Sequence, residues 1–158
     1  MARPHLHVVA PEHVVSLQQD ERVPLVAGRT YRILLVEDNA QVGALYTATL
    51  QRLASGDGAV EVALDHAKDG EEALLRLSRK PRVDLVVTDL YMPRMDGFAL
   101  VEHIRSDPAL VMTPVVAITA GSLEARDRAV ELGVDVCLHK PVKLTDILAT
   151  LRAVLEID

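Results

Sequence analysis

Acidic side chains stand directly after two apolar segments of the chain. Glu37 and Asp38 follow residues 31–36 (YRILLV), and Asp89 follows residues 83–88 (VDLVVT). If these segments are neighbouring strands, the carboxylates share one crevice, where they cannot all stay ionised without a compensating charge. Mg²⁺ is the expected partner, because it is held by few carboxylates and keeps water and phosphate oxygens as its other ligands.

A hydroxyl and an ammonium group follow two further apolar segments. Thr119 ends residues 114–119 (PVVAIT), and Lys140 comes shortly after residues 134–138 (VDVCL). A metal on one side of Asp89, with a cation and a hydroxyl on the other, suits the transfer of a phosphoryl group to its carboxylate, since both positive charges neutralise the phosphoryl oxygens. Taken alone, Asp89 is explained equally well as the cap of a helix or a turn.

The composition fits one globular domain with residues to spare. The chain has 158 residues, 49% of them hydrophobic, a net charge of −6 and a single cysteine, Cys137. The negative charge disfavours contact with nucleic acid, and one cysteine excludes an internal disulfide and fits a reducing compartment. No apolar run approaches the ~18 residues needed to span a bilayer, and the N-terminus lacks the apolar core of a signal peptide. We therefore predict a cytoplasmic protein that does not contact the membrane.

Residues 1–30 differ in character from the rest of the chain. They have three prolines and no sustained hydrophobic period, so we interpret them as a partly disordered extension with one short helix around residues 12–19. Residues 31–158 are predicted to form the folded domain. The extension contains three histidines, His5, His7 and His13. Their spacing matches no metal-ligand pattern, which favours a solvated tail over a metal site.

Apolar segments alternate with segments of helical period through the remainder of the chain. The predicted strands are residues 31–36, 60–65, 83–88, 114–119 and 134–138. The predicted helices start after Asn39, at Asp69–Gly70, near Phe98, at Leu123 and near Leu144, and Gly133 closes the fourth helix after Leu132. The predicted inward faces are Val42, Leu45, Tyr46 and Leu53 in the first helix, Ala73, Leu74 and Leu77 in the second, Phe98, Val101 and Ile104 in the third, and Leu144, Ile147, Leu148, Leu151 and Leu155 in the fifth.

Five repeats of strand and helix predict an α/β fold whose parallel sheet is covered by helices on both faces. Right-handed crossovers leave few topologies, and we predict the flavodoxin-like, doubly wound (βα)5 fold with three α/β/α layers and strand order 2-1-3-4-5. Residues 60–65 alternate between apolar and polar, which favours an edge strand. The first and third strands are the most apolar and belong inside the sheet. In this order they are neighbours, and the topological switch, where ligands bind, lies between them.

From Tyr31 to its C-terminus the chain resembles the response-regulator receiver family of two-component signalling. The matching motifs are the acidic pair Glu37–Asp38, the phosphoacceptor motif TDLYMPRMDG around Asp89, Thr119–Ala120 and Lys140–Pro141. Each motif is weak by itself, but together they follow four different strands in the family's order. The resemblance implies that Asp89 accepts a phosphoryl group.

The resemblance also implies a role for each matching residue. The implied Mg²⁺ ligands are Glu37, Asp38, Asp89 and the backbone carbonyl of Tyr91. Thr119 and Lys140 are implied to contact the phosphoryl oxygens. The Lys140–Pro141 bond is implied to be cis, which is plausible because a bond that precedes proline adopts this form at little cost.

A member of this family receives its phosphoryl group from a histidine kinase or a histidine phosphotransfer protein and controls a downstream protein partner. We expect a stand-alone receiver, because the chain ends with the fifth helix, with no enzymatic activity beyond its own phosphorylation and dephosphorylation. The signal is predicted to emerge on the fourth helix, the fifth strand and the fifth helix, where a homodimer or a partner could dock. The mixed charges predicted on that outer face are Arg126, Arg128, Glu131, Asp135, Asp146 and Arg152.

One position departs from the family's pattern. Many receivers carry Tyr or Phe three residues before the lysine, where this chain has Cys137. We interpret Cys137 as a small buried hydrophobic residue rather than a redox sensor. Thr119 and the loop after it are then expected to carry the signal without an aromatic switch.

Three alternatives use parts of the same pattern. A haloacid-dehalogenase-like phosphohydrolase also uses an aspartate and Mg²⁺, but it carries D-x-D after its first strand, where residues 37–39 read EDN. A dinucleotide-binding Rossmann domain needs G-x-G-x-x-G after that strand, and the motif is not there. A degenerate receiver that serves only as an interaction module would not need the intact set of site residues.

Overall fold

Five strands and five helices alternate along the computed structural model, which describes residues 28–54 and 60–156. The strands are β1 (Thr30–Val36), β2 (Glu61–Ala67), β3 (Leu85–Thr88), β4 (Val115–Thr119) and β5 (Val136–His139). The helices are α1 (Ala40–Gln51), α2 (Gly70–Leu77), α3 (Gly97–Ser106), α4 (Leu123–Leu132) and α5 (Leu144–Leu155), and a 3-10 turn (Arg52–Ala54) follows α1. All strands are parallel, in the order β2-β1-β3-β4-β5, which confirms the predicted topology. None of the helices in these two ranges is long and apolar enough to cross a membrane.

Several boundaries differ from the predicted ones by a few residues. β1 already includes Thr30, which pairs with Glu61 of the edge strand. β3 begins two residues later than predicted, and β5 covers residues 136–139 rather than 134–138. The predicted helix at residues 12–19 and the N-terminal histidines lie outside the described residues.

Side chains of short polar residues begin four of the helices. The caps are Asn39 for α1, Asp69 for α2, Asp96 for α3 and Ser122 for α4. Each side chain accepts a hydrogen bond from a backbone N–H of the first turn, which would otherwise lack a partner within the helix. α4 ends at Gly133, whose φ of 109° lies in the left-handed region that glycine adopts readily. The predicted starts at Asn39 and Asp69 and the predicted end at Gly133 are confirmed.

The sheet separates two apolar layers. On one face, α1 and α5 contribute Tyr46, Leu50 and Ile147 to a cluster with Ile33 of β1. On the other face, α2, α3 and α4 pack against the sheet in a second cluster that includes Phe98. Because both faces are covered, every residue of β3 and β4 is buried, which explains why these strands are apolar without alternation.

One predicted inward face is wrong in part. Leu45 is 50% exposed, whereas Leu50 is 1% exposed. Thr49 lies between them on the buried side, where its hydroxyl donates a hydrogen bond to the Leu45 carbonyl at 2.9 Å. Because a carbonyl of the same helix accepts this hydrogen bond, the threonine hydroxyl can be buried without another partner. The buried face of α1 therefore includes Thr49 and Leu50 and leaves Leu45 outside.

Asp135 does not lie on the outer face, contrary to the prediction. Asp135 is 6% exposed, and it precedes β5 at the amino end of the sheet. Its Oδ2 accepts hydrogen bonds from the Val115 backbone N–H at 2.8 Å and from Arg105 Nη2 at 3.1 Å. A carboxylate can be buried here because an arginine and a backbone donor both reach it.

Candidate functional site

The carboxyl ends of β1 and β3 lie side by side. Val36 pairs with Thr88 in the parallel register, so the next residues, Glu37 and Asp89, leave the sheet next to each other. The backbone N–H of Asp89 donates to the Val36 carbonyl at 3.0 Å. The predicted strand order thus brings the acidic pair and Asp89 to one crevice.

Lys140 reaches this crevice from the end of β5. Its Nζ lies 3.0 Å from Asp89 Oδ2 and 3.9 Å from Glu37 Oε2. Its backbone N–H donates to the Thr119 carbonyl at 2.8 Å, which joins the ends of β4 and β5. A single ammonium therefore stands between two carboxylates.

The backbone holds the carboxylate of Asp89 in place. Its Oδ1 accepts hydrogen bonds from the N–H of Leu90 at 2.6 Å and of Tyr91 at 3.2 Å, and its Oδ2 faces Lys140. The two oxygens are thus directed to different partners, and the side chain is oriented before any ligand arrives.

Negative charge is in excess at this site. Burial raises the pKa of Glu37, and the hydrogen bond from the Asn39 N–H lowers it only in part. The charges of Asp89 and Asp38 raise the pKa of Glu37 further, against the opposing effect of Lys140. Burial by itself lowers the pKa of Lys140, but the hydrogen bond and charge of Asp89, together with the charges of Tyr46 and Glu37, outweigh burial, and the pKa of Lys140 is raised. The site therefore favours an added positive charge.

The donors around the crevice fit Mg²⁺ by type, since they are hard oxygens. These donors are the carboxylates of Glu37, Asp38 and Asp89 and the backbone carbonyl of Tyr91. Within the described part of the chain, however, no group of three or more His, Cys, Asp or Glu side chains is arranged to hold a metal ion. Asp38 is exposed, and Glu37 Oε1 accepts a hydrogen bond from the Asn39 N–H at 3.0 Å. Glu37 Oε2 already lies in the crevice, 3.9 Å from Lys140 Nζ, so it is the exposed side chain of Asp38 that would have to turn inward to share a metal with Asp89.

Thr119 is engaged by the loop that follows β4. It is fully buried, and its hydroxyl accepts a hydrogen bond from the Gly121 N–H at 3.1 Å. The ring of Tyr91 covers this loop so closely that a Cβ on Gly121 would lie 2.7 Å from it. On the other side, His139 Nε2 lies 3.0 Å from the Gly121 carbonyl. The loop is thus bound to the ends of β3, β4 and β5, which are three of the four strand ends that carry the predicted site residues.

Two residues near the crevice were not predicted from the sequence. Tyr46 is 8% exposed; burial raises the pKa of its phenol, which the charges of Lys140, Glu37 and Asp89 also reach. His66 Nε2 lies 2.8 Å from the Glu37 carbonyl. The sequence assigned Tyr46 only to the core. The position of His66 beside the end of β1 was implied by the predicted pairing of the first two strands.

Cys137 is 1% exposed, and burial raises the pKa of its thiol to about 11. A thiol with so high a pKa is largely unreactive at neutral pH, which agrees with its interpretation as a small buried hydrophobic residue. The Lys140–Pro141 bond is cis, as the resemblance implies, and the Lys80–Pro81 bond is cis as well.

A sequence model described as "Response regulator receiver domain" matches residues 33–152. Among curated proteins, the chain is 34% identical to the sensor histidine kinase RcsC of Salmonella typhi, over 92% of this chain and 17% of that protein. It is 32% identical to the gliding motility regulatory protein of Myxococcus xanthus, over 78% of this chain and 15% of that protein. The chain therefore spans less than a fifth of the length of these two relatives.

Solved structures show the same fold. The chemotaxis response regulator CheY4 of Vibrio cholerae is 30% identical, with a TM-score of 0.68 over 80% of this chain and all of that one. The receiver domain of the sensor histidine kinase PA1611 from Pseudomonas aeruginosa is 26% identical, with a TM-score of 0.70 over 81% of this chain and 99% of that one. That receiver domain was solved with a magnesium ion coordinated in its active-site cleft.

Proposed function

This chain belongs to the response-regulator receiver family of two-component systems, and from that premise we propose that it is a phosphorelay switch that accepts a phosphoryl group on Asp89. The observation that carries the proposal is the place of Asp89, which lies beside Glu37 and within 3.0 Å of Lys140 Nζ. A nucleophilic carboxylate between an acidic pair and a cation suits phosphoryl transfer, which depends mainly on positioning and charge neutralisation.

Each residue of the crevice has a separate role in the proposed reaction. A carboxylate oxygen of Asp89 forms the new bond to phosphorus while the bond from phosphorus to the imidazole nitrogen of the donor histidine breaks. Lys140 neutralises charge on the phosphoryl oxygens, and the hydroxyl of Thr119 turns from the Gly121 N–H to donate a hydrogen bond to one of them. Glu37, Asp38, Asp89 and the backbone carbonyl of Tyr91 would hold Mg²⁺, which would supply further positive charge for the phosphoryl oxygens.

The donor is proposed to be a histidine kinase or a histidine phosphotransfer protein, and the receiver of the signal a downstream protein. RcsC, one of the relatives, is itself named a sensor histidine kinase, which supports a place in such a pathway. We further propose that the chain acts in the cytoplasm, without binding nucleic acid or membrane, that it catalyses only its own phosphorylation and dephosphorylation, and that its switched surface can support a homodimer.

The experiment that tests the proposal compares the wild type with Asp89→Asn, which removes the nucleophile but keeps the shape of the side chain. Both proteins are incubated with a small acyl-phosphate donor and Mg²⁺, and their intact masses are recorded. One phosphoryl adduct is expected on the wild type and none on the variant. An adduct on Asp89→Asn at the wild-type level would refute the assignment, and no adduct on either protein would favour a degenerate receiver.

A further inference from the structure

The loop of residues 90–96, which connects Asp89 to α3, rests on the beginning of α2. The backbone N–H of Gly70 donates to the Met95 carbonyl at 2.9 Å. A Cβ on Gly70 would lie 2.6 Å from Met95 Cγ and 2.9 Å from its carbonyl oxygen. The loop therefore approaches α2 as closely as a glycine allows.

An ion pair makes a second contact between the same two segments. Arg94 Nε donates to Asp69 Oδ2 at 2.6 Å, and Arg94 Nη2 lies 2.5 Å from that oxygen. The Asp69 side chain is only 3% exposed, and its Oδ1 caps α2 through the Glu72 N–H at 2.9 Å. The Glu72 N–H and the Arg94 guanidinium hold the pKa of Asp69 below its ordinary value, against the effect of burial. One buried carboxylate thus joins the helix to the loop.

The backbone of Arg94 is unfavourable for an arginine. Its φ of 63° lies in the left-handed region, which a residue with a Cβ adopts at a cost and which glycine adopts freely. Strain of this kind persists where surrounding contacts enforce it, and it often marks functional sites. Here the ion pair with Asp69 and the hydrogen bond from Gly70 to Met95 hold the loop at this residue and at the next one.

The two ends of the same loop pack against each other beside the phosphoacceptor, Asp89. The Gly97 N–H donates to the Leu90 carbonyl at 2.9 Å, and a Cβ on Gly97 would lie 2.2 Å from the Asp89 carbonyl oxygen. Tyr91, whose carbonyl is the proposed metal ligand, lies inside this closed segment. A shift of the loop at α2 would therefore be transmitted to Tyr91 and Asp89.

We propose that Arg94 is a positioning residue of the metal and phosphoryl site. Through Asp69 it holds the loop against α2 and so sets the place of the Tyr91 carbonyl. The inference rests on the proposed function, since it gives the loop a role in Mg²⁺ binding, and it extends the site to a residue whose side chain touches neither the metal nor the phosphoryl group.

The test measures Mg²⁺ affinity by calorimetry and melting temperature by thermal unfolding, both on the full chain. Arg94→Gly suits the left-handed backbone and removes the guanidinium, while Asp69→Asn keeps a capping oxygen and removes the charge. Each variant is expected to weaken Mg²⁺ binding about tenfold, the scale found for residues that orient metal ligands. The double variant should be no weaker than either single one, because both remove the same contact. Arg94→Lys should recover part of the affinity, since it restores the charge.

The matched control is Arg76→Gln, which removes the ion pair between Arg76 Nε and Asp65 Oδ2 (2.5 Å). That pair joins α2 to β2 rather than to the loop, so the Mg²⁺ affinity should stay at the wild-type value. Wild-type Mg²⁺ affinity in Arg94→Gly and Asp69→Asn, with or without a lower melting temperature, would overturn the inference. A wild type that binds no Mg²⁺ would overturn the proposed function first, and it is recognised before any substitution is made.

Discussion

Acidic side chains lie at both ends of the sheet, but their partners differ. At the amino ends of β3 and β5, Asp84 and Asp135 each meet an arginine and a backbone N–H. Asp84 accepts hydrogen bonds from Arg29 and from the N–H of a β1 residue, each at 2.8 Å. Asp135 accepts them from Arg105 at 3.1 Å and from the N–H of a β4 residue at 2.8 Å.

At the carboxyl ends of β1 and β3 the carboxylates have backbone donors as well, but they outnumber the cations. Glu37 and Asp89 both face Lys140, at 3.9 Å and 3.0 Å, and Asp38 adds a third negative charge that raises the pKa of Glu37. A carboxylate matched by its own arginine and backbone donor supports the fold, whereas carboxylates that outnumber the cations beside them create a demand for a further cation.

The largest expected effect is a loss of stability when the arginine that pairs with Asp135 at the amino end of the sheet is removed. Arg105 has a side chain only 12% exposed and donates to the carbonyls of Gly133 at 2.9 Å and Thr113 at 2.7 Å as well as to Asp135. Arg105→Ala leaves the Asp135 charge buried without its arginine and should lower the free energy of unfolding by about 3 kcal/mol. Denaturant unfolding measures the loss.

The control for this prediction is Glu102→Ala, an exposed residue on the same helix, which should change the stability little. The Mg²⁺ affinity of folded Arg105→Ala should equal that of the wild type, because the two ends of the sheet are separate. If Arg105→Ala costs no more than Glu102→Ala, the amino end does not support the fold in this way.

A smaller effect, on Mg²⁺ affinity, is expected from removing a carboxylate at the carboxyl ends of β1 and β3. Asp38 is exposed, so Asp38→Ala should change stability little but weaken Mg²⁺ binding about tenfold, or about 1.4 kcal/mol. Metal titration followed by calorimetry or NMR measures the affinity, with Asp127→Ala on the exposed side of α4 as the control. Equal affinity in Asp38→Ala and the wild type would refute the proposed metal site.

The excess charge also predicts a pH dependence of stability. The pKa of Glu37 is raised above its ordinary value of 4.5 in the folded state, so its contribution to stability is full below that value and is lost as the pH rises through the folded pKa. Without Mg²⁺, Glu37→Gln should therefore melt at a higher temperature than the wild type at pH 7. The difference should vanish below pH 4.5.

Added Mg²⁺ should reduce this difference in melting temperature. The metal should raise the melting temperature of the wild type, since a ligand that binds the folded state stabilises it, and should raise that of Glu37→Gln less. A variant that melts below the wild type at pH 7 without Mg²⁺ would show that the charge of Glu37 is already matched.

The smallest expected effect is a local movement of the loop after β4, without a change in stability or metal affinity. A beryllofluoride phosphoryl mimic should draw the hydroxyl of Thr119 away from the Gly121 N–H and shift NMR signals of residues 121–138. α4 is expected to respond because only Ala125 and Ala129 of its residues are buried. Asp89→Asn serves as the control and should show no such shifts. Large shifts confined to α1 would contradict this route.

The sequence alone determined the fold and the positions of the site residues along it. Periods of two and 3.6 residues predict strands and helices, and apolar β3 and β4 could only be buried inside a sheet. Once the strand order is known, the residues after parallel strands must meet at one edge, which is why Glu37 and Asp89 could be placed together. Caps such as Asn39 were predictable because they depend on neighbours within one turn.

Only the tertiary structure decided which surface each side chain faces and what it touches. Leu45 and Asp135 were misplaced because burial depends on the rotation of a helix against the sheet and on partners from distant segments. The ion pair of Arg94 and Asp69 joins residues that share no local pattern, since its geometry depends on two loops packed from different parts of the chain. Local sequence records the preferences of one element, whereas contacts between elements follow from how all of them pack at once.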